Sequence, residues 1–270
     1  MPGSGRVEDI YTMLWLHVKR TERYIWDLIA WGITDFLWLT IYLLGALVFM
    51  NPAEYPLLLP QVFWAMIAWG LISGPVWTIG NWMRFYINMG IYEEHELAGV
   101  DHNLFLSLRA IPTVVESLVI GVVAALFLTY ITGYPALRAD IPLLLAASLT
   151  AILLIAVLYG LILAYLSLYT SVPAPLLDLV SFLLFIVGGV AVPINRLPGV
   201  LQPIAIVIPY SHPSEIMRYA VNRAEPYLGL AGETIVTLVY ISILLSTVHV
   251  LSRKARRKAR LHGVKGIGRT

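Results

Sequence analysis

Six apolar runs dominate the chain: Leu28–Met50, Leu57–Trp82, Ile111–Ile131, Ile141–Leu168, Leu176–Val192 and Thr234–Leu251. A helix needs ~20 residues, at about 1.5 Å each, to cross roughly 30 Å of hydrocarbon, and Leu176–Val192 is close to the minimum length. Inside that hydrocarbon an unpaired backbone N–H or C=O costs several kcal/mol, so each run is predicted to be a transmembrane helix. Only 13% of the 270 residues are charged, about half the roughly 25% usual in soluble domains. Those charges gather at the two ends and in one central loop. The predicted fold class is therefore an all-α polytopic membrane protein, with residues 1–270 as a single transmembrane domain. The chain has no cysteine, which excludes disulfide and thiolate chemistry. No cleavable signal pattern is visible, since the first apolar run is too long for a signal core and follows acidic residues.

The connection between the fifth and sixth runs is unusual. Ser181–Arg218 reads SFLLFIVGGVAVPINRLPGVLQPIAIVIPYSHPSEIMR. Gly188, Gly189 and then Pro193 break the helical pattern, and Pro198, Pro203, Pro209 and Pro213 follow. Each proline removes a backbone donor and disrupts a helix interior. Yet Leu197, Val200, Leu201 and Ile204 keep the stretch apolar. The chain is expected to leave the plain helix near Pro193. Short helices should then lie at the membrane surface or dip into protein-lined space, as a re-entrant, broken helical hairpin. Glu215 and Arg218, three apart, can pair on one helical face.

Residues 1–27 are expected to form an amphipathic helix in the interface. Val7, Tyr11, Leu14 and Val18 recur on one helical face, with Lys19, Arg20 and Arg23 beside them and Trp15 and Trp26 suited to headgroup depth. Residues 28–252 form the six-span bundle, and 253–270 a basic tail. Four basic residues lie in the N-terminal segment, two (Arg84 and Arg109) in the central loop and eight in the tail, fourteen of 18 in all. With six spans these regions share one side. The positive-inside rule makes that side the cytoplasm, with both termini inside and the proline-rich segment outside. The tail suits anionic headgroups and equally reads as a stop-transfer anchor; nucleic acid is not an expected partner.

The sequence carries no phosphate-binding loop of the GxxxxGK[ST] type, no HExxH and no GxSxG. Its six histidines lack metal-ligand spacing, so no metal site is expected. An enzyme is not expected. Such a chain moves something down a gradient or borrows energy from a partner. The longest polar interruption, Arg84–Arg109, holds Glu93, Glu94, His95 and Glu96, which must face water or a basic partner. Asp35, Glu116 and Asp178 lie inside predicted spans, near their cytoplasmic ends. Charge there costs at least ~2.5 kcal/mol on insertion scales, so these acids are candidates for a pathway, facing the bundle or pairing with Arg84 or Arg109. The alternative is that each merely marks a span boundary. Gly70 and Gly74 are spaced for close helix contact. Tryptophans 31, 38, 64, 69 and 77 suit interface anchoring, packing or substrate contact.

GGVAVPINRLPGVLQPIAIVIPYSHPSEIMR resembles the signature near the last helices of ABC-2-type transporter permeases: a Gly-rich helix end, a Pro, a Leu-Pro pair, a short apolar helix, a Pro-bearing segment and an Arg. The resemblance implies the membrane subunit of an ABC exporter at the cell membrane, working in membrane lipid. Its partners would be a second permease half, expected as a homodimer, and separate ATP-binding subunits that carry ATP and Mg, with no cofactor on this chain. The N-terminal helix would be the family's elbow helix. Glu93, Glu94, His95 and Glu96 would form the coupling helix that meets the ATPase, although Leu97-Ala98-Gly99 stands where the family often has Gly-Thr. Gly188, Gly189, Pro193, Leu197, Pro198, Pro203, Pro209 and Arg218 would form the external gate. A gradient-driven carrier or channel, or a non-transporting membrane anchor, are the alternatives from other classes.

Overall fold

The structure is a computed structural model that describes residues 6–168, 183 and 185–262. Helix α1 (Arg6–Arg23) gives way after Tyr24 to α2 (Ile25–Phe49). A 3-10 turn at Pro52–Glu54 leads into α3 (Tyr55–Asn88), whose 34 residues make it about 51 Å long. Then come α4 (Ile91–Leu97), α5 (His102–Arg109), α6 (Ile111–Thr132) and α7 (Pro142–Leu166). Beyond residue 185 stand a 3-10 turn at Ile194–Arg196, α8 (Gln202–Val207), α9 (Ser211–Asn222) and α10 (Gly229–His262).

Five helical stretches among the described residues are long and apolar enough to cross a membrane: Ile25–Phe49, Pro52–Asn88, His102–Thr132, Pro142–Leu166 and Gly229–Ala259. They coincide with five of the six predicted spans. Most of the expected Leu176–Val192 span, including Asp178, lies outside the described residues.

The α3–α7 pair is the centre of the bundle, flanked by α6, α9 and α10. Ala68, Ile72, Val76 and Ile79 of α3 and Ile152, Ile155 and Ala156 of α7 are buried at 5% exposure or less. Gly160 sets the spacing, because a Cβ there would stand 3.3 Å from both Val76 Cα and Ile79 Cβ. In lipid, where apolar side chains gain little by leaving the solvent, such close backbone approach holds helices together. Gly70 and Gly74 face Ser117 and Thr113 of α6, but Cβ atoms there would stand at ordinary contact distances of 3.5–3.7 Å, so this pair does not set the spacing as Gly160 does. By contrast α2 and the span of α10 leave most side chains exposed, among them Ile33, Leu37, Val48, Leu238 and Ile243. That apolar surface is what a lipid environment tolerates and water does not.

Contacts define two ends. At one, α1, α4, α5 and the last turns of α10 meet: His17 Nε2 donates to Phe105 O (3.1 Å), Tyr165 Oη to Asn103 Oδ1 (2.5 Å), Lys258 Nζ to Leu168 O (3.0 Å), and Arg256 reaches Asp101 (3.4 Å). At the other, Ile141 N donates to Ala220 O (2.9 Å), Trp64 Nε1 to Arg138 O (3.3 Å) and Tyr240 Oη to Val207 O (3.0 Å).

Three features depart from expectation or add to it. The helices run past their apolar runs: α3 continues six residues beyond Trp82, and α10 extends into the basic tail as far as His262. Backbone hydrogen bonding continues wherever the chain can stay helical, whereas hydropathy marks only where lipid is tolerated. Helix α1 also touches protein through a residue outside the apolar line: His17 is fully buried, whereas Tyr11 and Val18 of that line are 69% and 43% exposed, the disposition of an interfacial helix. Finally, the helix ending in residues 185–187 turns already at Gly188–Gly189, the first of the two expected breaks, and not near Pro193, where the exit is expected. Gly189 has φ +71°, a left-handed conformation that suits glycine.

Candidate functional site

Helix α4 is short and packs inward through Tyr92, His95 and Glu96. Gly90 (φ 74°) lets the chain reverse after α3, and Asp101 caps α5 by accepting from Asn103 N at 3.0 Å. Tyr92 is fully buried; its ring stacks on His102 at 4.4 Å and its hydroxyl lies 3.4 Å from Glu96 Oε1. Glu96 turns inward and stands 3.3 Å from His102 Nδ1. The His95 ring lies 5.2 Å from Phe105 and 5.4 Å from Tyr86. Burial lowers the His95 pKa, opposed by Glu94. Glu93 is half-buried, while Glu94 and Leu97, the latter 90% exposed, face outward. The four acidic-loop residues therefore divide: His95 and Glu96 hold α4 in place, and Glu94 points away from the bundle.

The second site is a cleft of about 820 Å³ between the α1–α2 junction, α3 and α6. Asp35 and Glu116 both line it, so the fold brings these two predicted acids together. Neither forms an ion pair or a hydrogen bond among the described residues, and Glu116 Oε1 is buried without a partner. Arg109 does not pair with them. Its Cζ sits 4.2 Å from the Trp82 ring centroid, and Arg20 Cζ sits 4.7 Å from it. Both arginines stay near one end of the cleft, favoured by the electron-rich indole face. The Trp82 contact was not legible, because three distant segments supply its members.

The third site is the segment after Gly188. Arg218 is its hub, 4% exposed. Its Nη1 donates to Glu215 Oε1 (2.9 Å), and its Nη2 to Gly189 O and to Val190 O, the latter at 3.0 Å. Glu215 Oε1 also accepts from Ile194 N (3.1 Å). Ser211 Oγ lies 2.5 Å from both Gly188 O and Ala205 O. One arginine thus ties the carbonyls freed at the glycine turn to a carboxylate on α9. Burial lowers the Arg218 pKa, while Glu215 and Glu233 oppose that shift. Among the other predicted gate residues, Leu197 is buried, Pro193 and Pro209 are half-buried, and Pro198 and Pro203 are exposed.

Sequence reasoning missed the pair that closes this segment onto α10. His212 Nδ1 lies 2.6 Å from Glu233 Oε2, both side chains are fully buried, and Glu233 Oε1 accepts from Leu228 N (2.9 Å). His212 Nε2 donates to Ile206 O (2.9 Å). A carboxylate beside an apolar run was the available signal, but its partner is 21 residues away.

Among the described residues no group of three or more histidine or acidic side chains is arranged to hold a metal ion. Compared with known families and curated proteins, the chain matches no family model and no curated protein.

Proposed function

We propose that this chain is the transmembrane permease subunit of an ATP-driven exporter of the ABC-2 type, moving a substrate out across the cell membrane. Separate subunits bind ATP and Mg and hydrolyse ATP; a second permease half completes the pathway. The observation that carries this reading is α4. A helix that is anchored inward through Tyr92, His95 and Glu96 and presents Glu94 and Leu97 outward suits transmission of a push from a soluble partner to α3, α5 and α10.

The topology in this reading has six crossings, both termini in the cytoplasm and the segment from Gly188 to Asn222 as an external broken hairpin. Support for the sixth crossing comes from its two anchors. Leu168 is held by Lys258 at the α4 end, and Gly188 is held by Ser211 at the opposite end. About 20 residues separate them, the length that a helix needs to span hydrocarbon. The basic residues of α1 and of the end of α10 flank the α4 end, as the positive-inside rule requires of a cytoplasmic face. The Arg218 hub would let the external segment move as one body.

The test is affinity purification from mild detergent. A co-purifying subunit with a phosphate-binding loop is expected, and Glu94→Gln with Leu97→Ala should uncouple its ATPase activity from substrate without unfolding the permease. The unpaired acids of the cleft would also suit a gradient-driven carrier. That second reading requires flux in liposomes from this chain alone, a result that would refute the exporter.

A further inference from the structure

We propose that the cleft between α2, α3 and α6 binds an amphipathic organic cation, its apolar body against the tryptophans and its charge beside Asp35 and Glu116. Calling that cation the cargo rests on the permease reading; the binding site itself rests on the cleft alone.

The cleft follows from spacing. Asp27, Trp31 and Asp35 recur every four residues along α2 and so share one face. Gly70, Gly74 and Trp77 line the facing side on α3, and Thr113 and Glu116 the side on α6. Glu116 faces Gly32 of α2, where a Cβ would stand 3.6 Å from Glu116 Oε1, an ordinary contact distance. The volume of about 820 Å³ falls in the range of small-molecule sites, ~300–1,000 Å³. A smaller recess of about 140 Å³ continues from Asp35 and Ser73 towards Trp38, Tyr42 and Trp69.

Charge is unevenly distributed along the cleft. Near the α1–α2 junction the two arginines are committed to Trp82 and share that end with Asp27, so it holds charges of both signs. Deeper, Asp35 and Glu116 are the only charged side chains lining the wall among the described residues, and they lack partners. A buried polar atom without a hydrogen bond calls for a counterpart. Two carboxylates in a weakly polar wall attract a cation and repel an anion. Indole rings add cation–π attraction and a surface for apolar groups; Trp31 is 64% and Trp38 55% exposed. Indole faces stand beside the two acids, and the hydroxyls of Ser73, Thr113 and Ser117 line the wall between them, so the fitting ligand pairs a cationic centre with an apolar body.

The test uses purified, detergent-solubilised protein with no ATPase subunit present. Tetraphenylphosphonium binding is followed by equilibrium dialysis and by tryptophan quenching. Saturable binding is expected. Asp35→Asn and Glu116→Gln should each weaken it by about tenfold, and the double substitution should abolish it while the thermal melt confirms folding. Tetraphenylborate has the same shape and the opposite charge, so it should show no saturable binding to the unmodified protein, a comparison that needs no variant. Three results would overturn the proposal: no saturable phosphonium binding, equal binding of the borate, or unchanged binding in the folded double variant. None of these bears on the co-purifying ATPase, so the cleft and the exporter reading fail separately.

Discussion

Replacing Arg218 with Met removes the hub of the segment after Gly188 while keeping an apolar side chain of similar length. The substitution leaves Glu215, 3% exposed, with only the Ile194 N–H as donor among the described residues, and strips donors from the carbonyls of Gly189 and Val190. Breaking a buried ion pair by removing one partner costs about 3–5 kcal/mol, because the remaining charge stays buried and uncompensated. At roughly 2–4 °C of melting temperature per kcal/mol for a chain of this size, the midpoint should fall by about 10 °C. The assay is thermal unfolding of the purified protein in one detergent, for Arg218→Met, Glu215→Met and the double variant. The double variant should recover most of the loss, since neither charge then remains buried. A melting point for Arg218→Met equal to that of the unmodified protein, or a double variant no better than the single, would refute the buried-pair account.

Two further outcomes follow from packing and burial. A Cβ at Gly121 would lie 2.5 Å from Ile67 Cδ1, the movable end of that side chain. Gly121→Ala should therefore turn Ile67 to another rotamer at about 0.5–1.5 kcal/mol, offset by about 1 kcal/mol of helix propensity. The melt should change little; a loss of several kcal/mol would contradict this packing. Burial, helped by the charges of Arg109 and Arg20 and opposed by the bond to Phe105 O, lowers the His17 pKa from 6.5 to about 4. The neutral ring is thus favoured in the folded state; its stabilisation is complete above pH 6.5 and is lost as pH falls towards 4. At pH 5 the loss is about 2 kcal/mol, so the melting difference between pH 7 and pH 5 should shrink in His17→Gln. An unchanged difference would contradict the burial of His17.

The sequence was most informative where a signal is local. The apolar runs located the described spans because hydrocarbon demands continuous helix. The Glu215–Arg218 pair was legible because three residues make one helical turn, and the Gly188–Gly189 break because glycine tolerates a reversal. Non-local relations were not legible. Glu94 and Glu96 look alike in sequence, and only the position of His102 separates an outward acid from an inward one. Pairing with Arg109 was one of the alternatives for the intramembrane acids; Arg109 lines the same cleft as Asp35 and Glu116, but it sits against Trp82 instead of pairing with them. The apolar line of α1 gave no sign of the helix's contact with α5, which His17 supplies. Periodicity reports that a helix has faces; it does not say which face meets protein and which meets lipid.

The proposed topology separates α4 from the external hairpin by the full thickness of the membrane. The chain has no cysteine, so Leu97→Cys and Val200→Cys each give a unique thiol, at sites 90% and 81% exposed. With an impermeant maleimide on intact cells, the account predicts labelling at position 200 and labelling at position 97 only after permeabilisation. Labelling of position 97 from outside, or of both positions from the same side, would contradict it.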